Sequence, residues 1–442
     1  MEQGLAGHFS FGRLLRFCLS PIIMMIFTSI YGVVDGFFVS NYVGKVSFAA
    51  INLAWPFIMI MSGLGFMVGT GGSALVARIM GEGDNERANR IFSILVEFTL
   101  ILGTLLTVLG YLVMPAVATF LGATEQMMSE TVLYGRLMLL FNVPFMLQNV
   151  FQTFLSTASK PKLGLIFTLA AGFMNMFLDW LFIGYLGLGV TGAALATGIG
   201  EIVGGVFPLI YFMLPNDSLL HLRIEKLEWQ AILATCLNGS SELMSNISSS
   251  LLAMLYNLQL LKYLGENGVA AYGVLMYVQF IFIAVFIGYT IGTSPVISFN
   301  YGANNQQELQ ALRKKSQLFM LVMGILMAVA SQFLAKPLAY FFVGYDEQLL
   351  ILTVYAIKVS ALSFILAGLN IFHSALFTAL NDGRISAFIS FTRTLIFQLS
   401  SVLILPLLIG RDGIWWAALA AEVLAFLLST YLFIKKQKEY HY

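Results

Sequence analysis

Eight charged side chains lie within long apolar stretches of this sequence, and they are its clearest candidates for chemistry. A charged residue at the centre of a membrane-spanning helix costs about 2.5–3.5 kcal/mol unless it faces protein or water, so such residues commonly bind ions, relay protons or pair with one another. Two of the eight, Glu97 and Lys358, lie near the ends of their stretches, where a long side chain reaches the surface. The eight residues are Asp35, Glu97, Asp179, Glu201, Glu242, Lys358, Arg393 and Glu422.

Asn175 and Asp179 form the most specific local pattern. They are four residues apart, so they share one face of a helix, where an amide beside a carboxylate can share a proton or coordinate a small cation. Counted along a helix from Lys162, Asp179 lies about 25 Å into its stretch, and Asp35, counted from Arg16, lies at about 28 Å. A single buried acid often only hydrogen-bonds a neighbouring helix. Two acids and an amide at similar depth favour a site that binds H⁺ or another cation.

Four polar residues of the C-terminal half form a possible second cation or substrate site. We predict that Arg393 and Glu422 pair, because a buried Arg needs a carboxylate. His373 is either a proton relay or one side of an interhelical hydrogen bond, and we favour the hydrogen bond. Glu242 is the fourth of these residues.

Composition assigns the chain to the membrane. Apolar residues make up 59% of the sequence, charged residues only 10%, and the mean hydropathy is +0.86, which leaves too little polar sequence to solvate a globule of this size. The pattern predicts an all-α integral membrane protein with twelve transmembrane helices that contact the lipid bilayer. The predicted helices are 14–41, 48–80, 91–114, 132–157, 163–185, 188–214, 229–263, 269–299, 316–343, 349–380, 385–409 and 413–434.

The sequence repeats itself at a distance of half its length, here called the repeat distance. Seven residues around the second helix recur around the eighth without a gap, which indicates two tandem halves of six helices each. An even number of helices per half makes the repeats parallel, related by an axis along the membrane normal. The recurring pairs are Gly44 and Gly265, Ala49 and Ala270, Ala50 and Ala271, Ile60 and Ile281, Gly71 and Gly292, Ser73 and Ser294, and Gly81 and Gly302.

Charge in the loops predicts the orientation. Most of the 23 Lys and Arg residues fall on the side of the N-terminus, so that side is expected to be cytoplasmic. Both termini are therefore expected in the cytoplasm, and we expect a multi-pass protein of the inner, cytoplasmic membrane. We expect an N-terminal lobe at 1–214, a polar cytoplasmic linker at 215–228 and a C-terminal lobe at 229–442.

Motifs of other functional classes were not found in the sequence. It has no Walker A sequence, nucleophile elbow or metalloprotease histidine pair, so we expect neither an enzyme nor a cofactor, and any transport must use an ion gradient. The net charge of +1 and the absence of a basic arm argue against nucleic acid. The 38 Phe and 21 Met residues could form an adaptable wall for flat organic cations.

Over its whole length the chain resembles the multidrug and toxic compound extrusion (MATE) family of the MOP superfamily, and within it the bacterial multidrug-efflux branch. Besides the twelve helices in two lobes, the resemblance rests on these residues: Ser29-Ile-Tyr-Gly-Val-Val-Asp35, Asn175-Met-Phe-Leu-Asp179, Thr197, Gly292-Thr-Ser-Pro295 and Asn300-Tyr-Gly-Ala303. One departure is Ser294, because many members carry Gln before the Pro.

The resemblance implies a V of two lobes around a central cleft and a monomeric exporter of small organic substrates, which would confer resistance to antibiotics and other xenobiotics. It also implies antiport by alternating access, driven by inward H⁺ or Na⁺. In such proteins the positions matching Asp35, Asn175, Asp179 and Thr197 form the cation site of the N-terminal lobe, a possible Na⁺ site, and we favour this lobe over one centred on Glu242.

Two other classes remain open at this point. A flippase for a lipid-linked or amphiphilic substrate shares the broad architecture, but it would be expected to hold a pyrophosphate with several cationic side chains, and only Arg393 and Lys358 are available. A channel or an intramembrane enzyme would not need acids at matched depth. The cargo and the choice between H⁺ and Na⁺ stay undetermined.

Overall fold

The protein is built from membrane-length helices. The computed structural model describes residues 4–440 and 442, apart from the side chain of Lys45, and these residues form helices and loops without a β-strand. The helices long and apolar enough to cross a membrane are Phe11–Val43, Val46–Gly81, Asn85–Phe120, the pair Glu125–Leu140 and Asn142–Thr157, Pro161–Tyr185, Gly189–Met213, Trp229–Gly302, Gln306–Val343, Glu347–Ala379 and Gly383–Tyr440.

Two of these helices are long enough to cross twice. Trp229–Gly302 has 74 residues and breaks at Gly265, where φ is 65° and ψ is −156°. Gly383–Tyr440 has 58 residues and breaks at Gly410, where φ is 72°. The pair around Phe141, bent by 54°, makes one crossing. The described residues therefore contain twelve spans in chain order, as predicted, and we number them 1 to 12; spans 7 and 8 flank Gly265, and spans 11 and 12 flank Gly410.

The backbone repeats at the spacing seen in the sequence. Gly44 joins spans 1 and 2 with a φ of 100°, and Gly265, its counterpart in the second half, joins spans 7 and 8 with a φ of 65°. Gly189 and Gly410, which precede spans 6 and 12, have φ values of 58° and 72°. L-residues with a side chain rarely adopt these angles, so glycine at both copies lets each half make the same turns.

The turn before span 3 recurs before span 9. Gly83 and Asn304 have φ values of 88° and 54°, and Asp84 and Asn305 follow them as N-caps. Each cap accepts a hydrogen bond from a backbone N–H three residues on, which satisfies one of the free donors at a helix start. The repeat thus extends to the hydrogen bonds that begin the helices.

The first and last described helices begin and end, respectively, on the same face of the helix bundle as the central linker, and this face is here called the terminal face. His8 Nδ1 lies 2.7 Å from Glu308 Oε2 at the start of span 9. Near the other end of the chain, the Tyr440 hydroxyl donates to Asp382 Oδ2 at 2.6 Å. None of residues 214–228, between spans 6 and 7, is helical.

Span 3 holds the linker in place. Asn89, Ser93 and Glu97, at intervals of four residues, accept hydrogen bonds from the backbone N–H groups of residues 221, 223 and 225 at 2.6, 3.1 and 3.1 Å. Alternate residues of an extended segment point the same way, so they match one face of a helix. Glu97 therefore reaches the linker from the end of its span.

The apolar core joins the two lobes at the terminal face and divides away from it. One cluster contains buried side chains of both lobes, such as Phe92 and Phe377. Toward the opposite face, one cluster around Tyr134 contains only N-terminal-lobe residues, and another around Trp415 only C-terminal-lobe residues. Spans 1–6 and 7–12 are therefore two lobes joined at one end, which is the V arrangement expected from the resemblance.

Span 2 and span 8 cross where the lobes meet. A Cβ atom at Gly81 would overlap the carbonyl oxygen of Phe299, and a Cβ atom at Gly302 would overlap that of Arg78. The contact is reciprocal, because Gly302 and Phe299 are the counterparts of Gly81 and Arg78 at the repeat distance. Only glycine permits this close approach of two backbones.

Candidate functional site

Asp35 of span 1 and Asp179 of span 5 lie next to each other inside the N-terminal lobe. Their carboxyl groups face each other at interaction distance, and Asp179 is fully buried. Neither carboxylate oxygen of Asp179, nor Oδ1 of Asp35, has a hydrogen-bond partner of ordinary geometry among the described residues. The structure thus brings together two acids that belong to the first and the fifth span and are far apart in the sequence.

Both acids adjoin a π-helical turn. Asp179 is the first residue of the π turn Asp179–Tyr185, and the Asp35 carbonyl accepts a hydrogen bond from the first residue of the π turn Val39–Val43. A π turn changes the direction of the side chains that follow it and occurs frequently at functional sites. Each acid thus lies at the start of a π turn or within one helical turn before it.

The structure adds Asn175 to the acid pair and places Thr197 on the neighbouring span. Asn175 is buried one turn before Asp179, and both polar atoms of its amide lack partners. It packs against Gly200 of span 6, where a Cβ atom would lie 3.1 Å from that of Asn175. Thr197, one turn earlier on span 6, is half-buried and forms no side-chain hydrogen bond within the described residues.

Three polar residues near the pair were not identified from the sequence. The Tyr31 hydroxyl lies near the Gln148 side chain, and the buried Tyr134 lies within electrostatic reach of Asp35, Asp179 and Glu201. Tyr31 could have been found, because it lies four residues before Asp35 on the same helix face. Tyr134 and Gln148 carry no comparable signal in the sequence.

The N-terminal site has the chemistry of a small-cation site. Buried polar atoms without partners are costly, and they are satisfied by protons, by a cation or by water. Carboxylate and amide oxygens suit H⁺ and hard cations such as Na⁺. Within the described part of the chain, no three His, Cys, Asp or Glu residues are grouped so as to hold a metal ion. Asp35, Asn175 and Asp179 supply oxygen atoms of the kind that such a cation would need.

In the C-terminal lobe, Arg393 and Glu422 form the predicted ion pair. Arg393 Nη2 and Nε lie 2.7 and 2.9 Å from Glu422 Oε1, and Asn370 Nδ2 donates to Oε2 at 2.7 Å. Arg393 lies in the π turn Thr392–Phe397 of span 11. Both charges are thus neutralised within the lobe.

A hydrogen-bonded chain connects this ion pair with His373. Ser429 Oγ donates to Asn370 Oδ1 at 2.9 Å and lies 3.0 Å from His373 Nδ1, while His373 Nε2 lies 3.2 Å from Gln317 Nε2. His373 therefore forms hydrogen bonds with residues of two other spans, and its role stays a prediction. Glu242 lies apart from this chain, and its carboxylate forms no hydrogen bond or ion pair within the described residues. Hydrogen bonds thus connect Arg393, Glu422 and His373 but do not include Glu242.

The chain resembles known membrane proteins over nearly its whole length. A family model described as MatE matches it twice, at residues 21–181 and 243–403. The Multidrug export protein MepA of Staphylococcus aureus strain MRSA252 is 25% identical over 442 residues, covering 96% of this chain and 94% of that protein. The protein of the same name from Staphylococcus haemolyticus strain JCSC1435 is 24% identical over 427 residues, covering 96% and 93%.

Two solved structures share the fold. The crystal structure of MATE in complex with MaL6 has a TM-score of 0.92 and 22% identity, covering 99% of this chain and 100% of the other. The outward-facing conformation of a multidrug resistance MATE family transporter of the MOP superfamily has a TM-score of 0.93 and 22% identity, covering 99% and 97%.

Proposed function

The chain belongs to the MatE family, and on that premise we propose that it is a secondary active antiporter that exports organic cations in exchange for inward H⁺ or Na⁺. It is a multi-pass membrane transporter of the multidrug export class and not an enzyme. The relatives named above as multidrug export proteins support this class of cargo.

The Asp35–Asp179 pair, in which Asp179 is fully buried and Asp35 half-buried, is the observation that carries the proposed coupling. Two acids that face each other without a neutralising partner can hold a cation, and releasing it changes the charge balance of the lobe. A ligand shifts a conformational equilibrium only by its difference in affinity for the two states. We therefore propose that cation binding at Asp35, Asn175, Asp179 and Thr197 shifts the cleft between its two openings.

Charge also supports a cationic cargo over a lipid pyrophosphate. Arg393, one of the two intramembrane cations noted in the sequence, is already paired with Glu422. The intramembrane acids Asp35, Asp179 and Glu201 of the N-terminal lobe take part in no ion pair among the described residues. A central cleft beside such acids would favour positive, aromatic molecules over anionic ones.

We propose that the terminal face is cytoplasmic, that the protein lies in the inner membrane, and that lobes 1–214 and 229–442 move about the linker 215–228. In a background with both cysteines replaced by Ala, Ile224→Cys should react with a membrane-impermeant thiol reagent only in inverted vesicles. Ile224 is suited to this test because it is 98% exposed in the linker. Phe120, which is 89% exposed at the far end of span 3, provides the control: Phe120→Cys should react only in right-side-out cells. The reverse pattern would contradict the orientation.

Cells that express the protein should tolerate cationic aromatic dyes better than cells without it, and should gain little against anionic dyes of similar size. The reason is the uncompensated acidity of the N-terminal lobe. Growth inhibition by matched cationic and anionic dyes measures the difference, with cells expressing Asp179→Asn as the control. Equal protection against both dye classes would contradict a cation-selective cleft.

A further inference from the structure

Glu201 is a third buried acid beside the proposed coupling pair. It lies on span 6 between Gly200, which packs against Asn175, and Gly204, where a Cβ atom would lie within 3 Å of the Gln148 side chain. Glu201 is 6% exposed, its Oε2 atom has no partner, and it lies within electrostatic reach of Asp35. Its carboxylate forms no hydrogen bond or ion pair in the part of the chain that the structure describes.

The internal repeat gives Glu201 a counterpart in the other lobe. Gly189 and Gly192 recur at the repeat distance as Gly410 and Gly413, each pair at the start of its span. The same spacing carries Glu201 onto Glu422. The two lobes thus place a glutamate at one equivalent position.

The two glutamates differ in how their charge is balanced. Glu422 is paired with Arg393, but the counterpart of Arg393 in the first half is Gly172, which has no side chain to offer. A Cβ atom at Gly172 would meet the rings of Phe27 and Tyr31, so no longer side chain fits there without moving them. Glu201 therefore lacks the fixed cation that neutralises its counterpart.

Charge balance then requires that protons or other small cations neutralise the acids of the N-terminal lobe. Asp35, Asp179 and Glu201 appear in none of the ion pairs among the described residues. Three ionised carboxylates cannot remain together without compensation at membrane depth, because each charge carries a large desolvation penalty. One cation shared by Asp35 and Asp179 leaves Glu201 still to be neutralised.

We propose that Glu201 binds a second small monovalent cation, H⁺ or Na⁺, so that two cations enter for each cargo molecule exported. This inference rests on the proposed function and specifies its stoichiometry. Export of one monovalent organic cation against two entering charges moves one net positive charge inward per cycle. Transport should then respond to membrane potential as well as to the ion gradient.

Equilibrium accumulation in proteoliposomes tests the stoichiometry, because it does not depend on how fast a variant works. Ethidium is the cargo probe, with a pH gradient in Na⁺-free buffer in one arm and a Na⁺ gradient at equal pH in the other. In the arm that drives transport, a tenfold ion gradient should produce about a hundredfold ethidium gradient with the unmodified protein, and about a tenfold one with Glu201→Gln. A membrane potential of about 59 mV corresponds to a tenfold concentration ratio for one charge. It should change ethidium accumulation about tenfold with the unmodified protein and should not change it with Glu201→Gln.

The control is Glu125→Gln, which removes an exposed glutamate at the start of span 4 and should keep the hundredfold response. If Glu201→Gln does not transport ethidium, the number of bound ions can be measured instead. Purified protein should bind two H⁺ or Na⁺ ions, counted with a pH indicator or with ²²Na⁺, and the variant should bind one.

Two results would overturn this inference alone: a tenfold response by the unmodified protein, or equal responses and equal ion counts in the unmodified protein and Glu201→Gln. Absence of any ion-driven ethidium transport by the unmodified protein would instead overturn the proposed function, and this inference with it.

Discussion

Asp35→Asn and Asp179→Asn should each lower gradient-driven export about a hundredfold while the protein remains folded in the membrane. A coupling free energy of about 1–3 kcal/mol corresponds to at most about 150-fold, and loss of either acid removes the partner with which the other holds its cation. Folding should survive, because Asn keeps the size of Asp and removes a charge that costs about 2.5–3.5 kcal/mol at this depth. Export by reconstituted protein and thermal unfolding in detergent measure the two effects.

The double variant should export no worse than either single variant, since residues that serve one function give non-additive losses. Asn175→Ala is the graded control, because it removes an amide and keeps both acids, and it should weaken export without abolishing it. If Asp179→Asn exported at the normal rate while Glu242→Gln did not export at all, the driving cation would bind in the C-terminal lobe.

Gly81→Ala and Gly302→Ala should each reduce export strongly, because a methyl group at either position overlaps a backbone carbonyl of the other lobe. A backbone cannot move aside as a flexible side chain can, and forcing an extra methyl group into such a contact typically costs about 1–3 kcal/mol. The lobes should then separate at the terminal face. Distances between spin labels at residues 83 and 303 should lengthen relative to the unmodified protein, as electron spin resonance can measure.

Gly273→Ala is the matched control, because Gly273 lies on span 8 and a Cβ atom there meets nothing within 4 Å. It should leave both export and the label distances unchanged. Normal export and distances in Gly81→Ala would show that this crossing does not need to close during transport.

The sequence predicted the spans and their repeat because lipid imposes strong constraints. A membrane helix must be long and apolar, and the turns at Gly44 and Gly265 need a residue that adopts positive φ, so both features leave a pattern in one dimension. The matched depth of Asp35 and Asp179 also follows from helix rise alone. Their shared position in the lobe could be inferred because both helices start from the same face.

The residues that surround the acids depend on how each helix is rotated about its axis, and the sequence gives little indication of this rotation. Tyr134 and Gln148 lie on helices with ordinary composition, and only packing turns them toward the acids. The π turns at Asp179 and Arg393 have no marker residue comparable to glycine at a left-handed turn. Glu201 was recognised as a charge in an apolar stretch, but its nearness to Asn175 required the contact at Gly200.

The crossing of spans 2 and 8 has the character of an isologous interface, in which one surface meets its own copy, as in a two-fold symmetric dimer. Its close contacts run from a glycine to a backbone carbonyl, so the side chains that flank them were free to diverge after duplication. Arg78 pairs with Glu82 and lies over the ring of Tyr301. Its counterpart in the second half is Phe299, which carries no charge. The backbone contact between spans 2 and 8 is thus two-fold symmetric, although the side chains around it differ between the two halves.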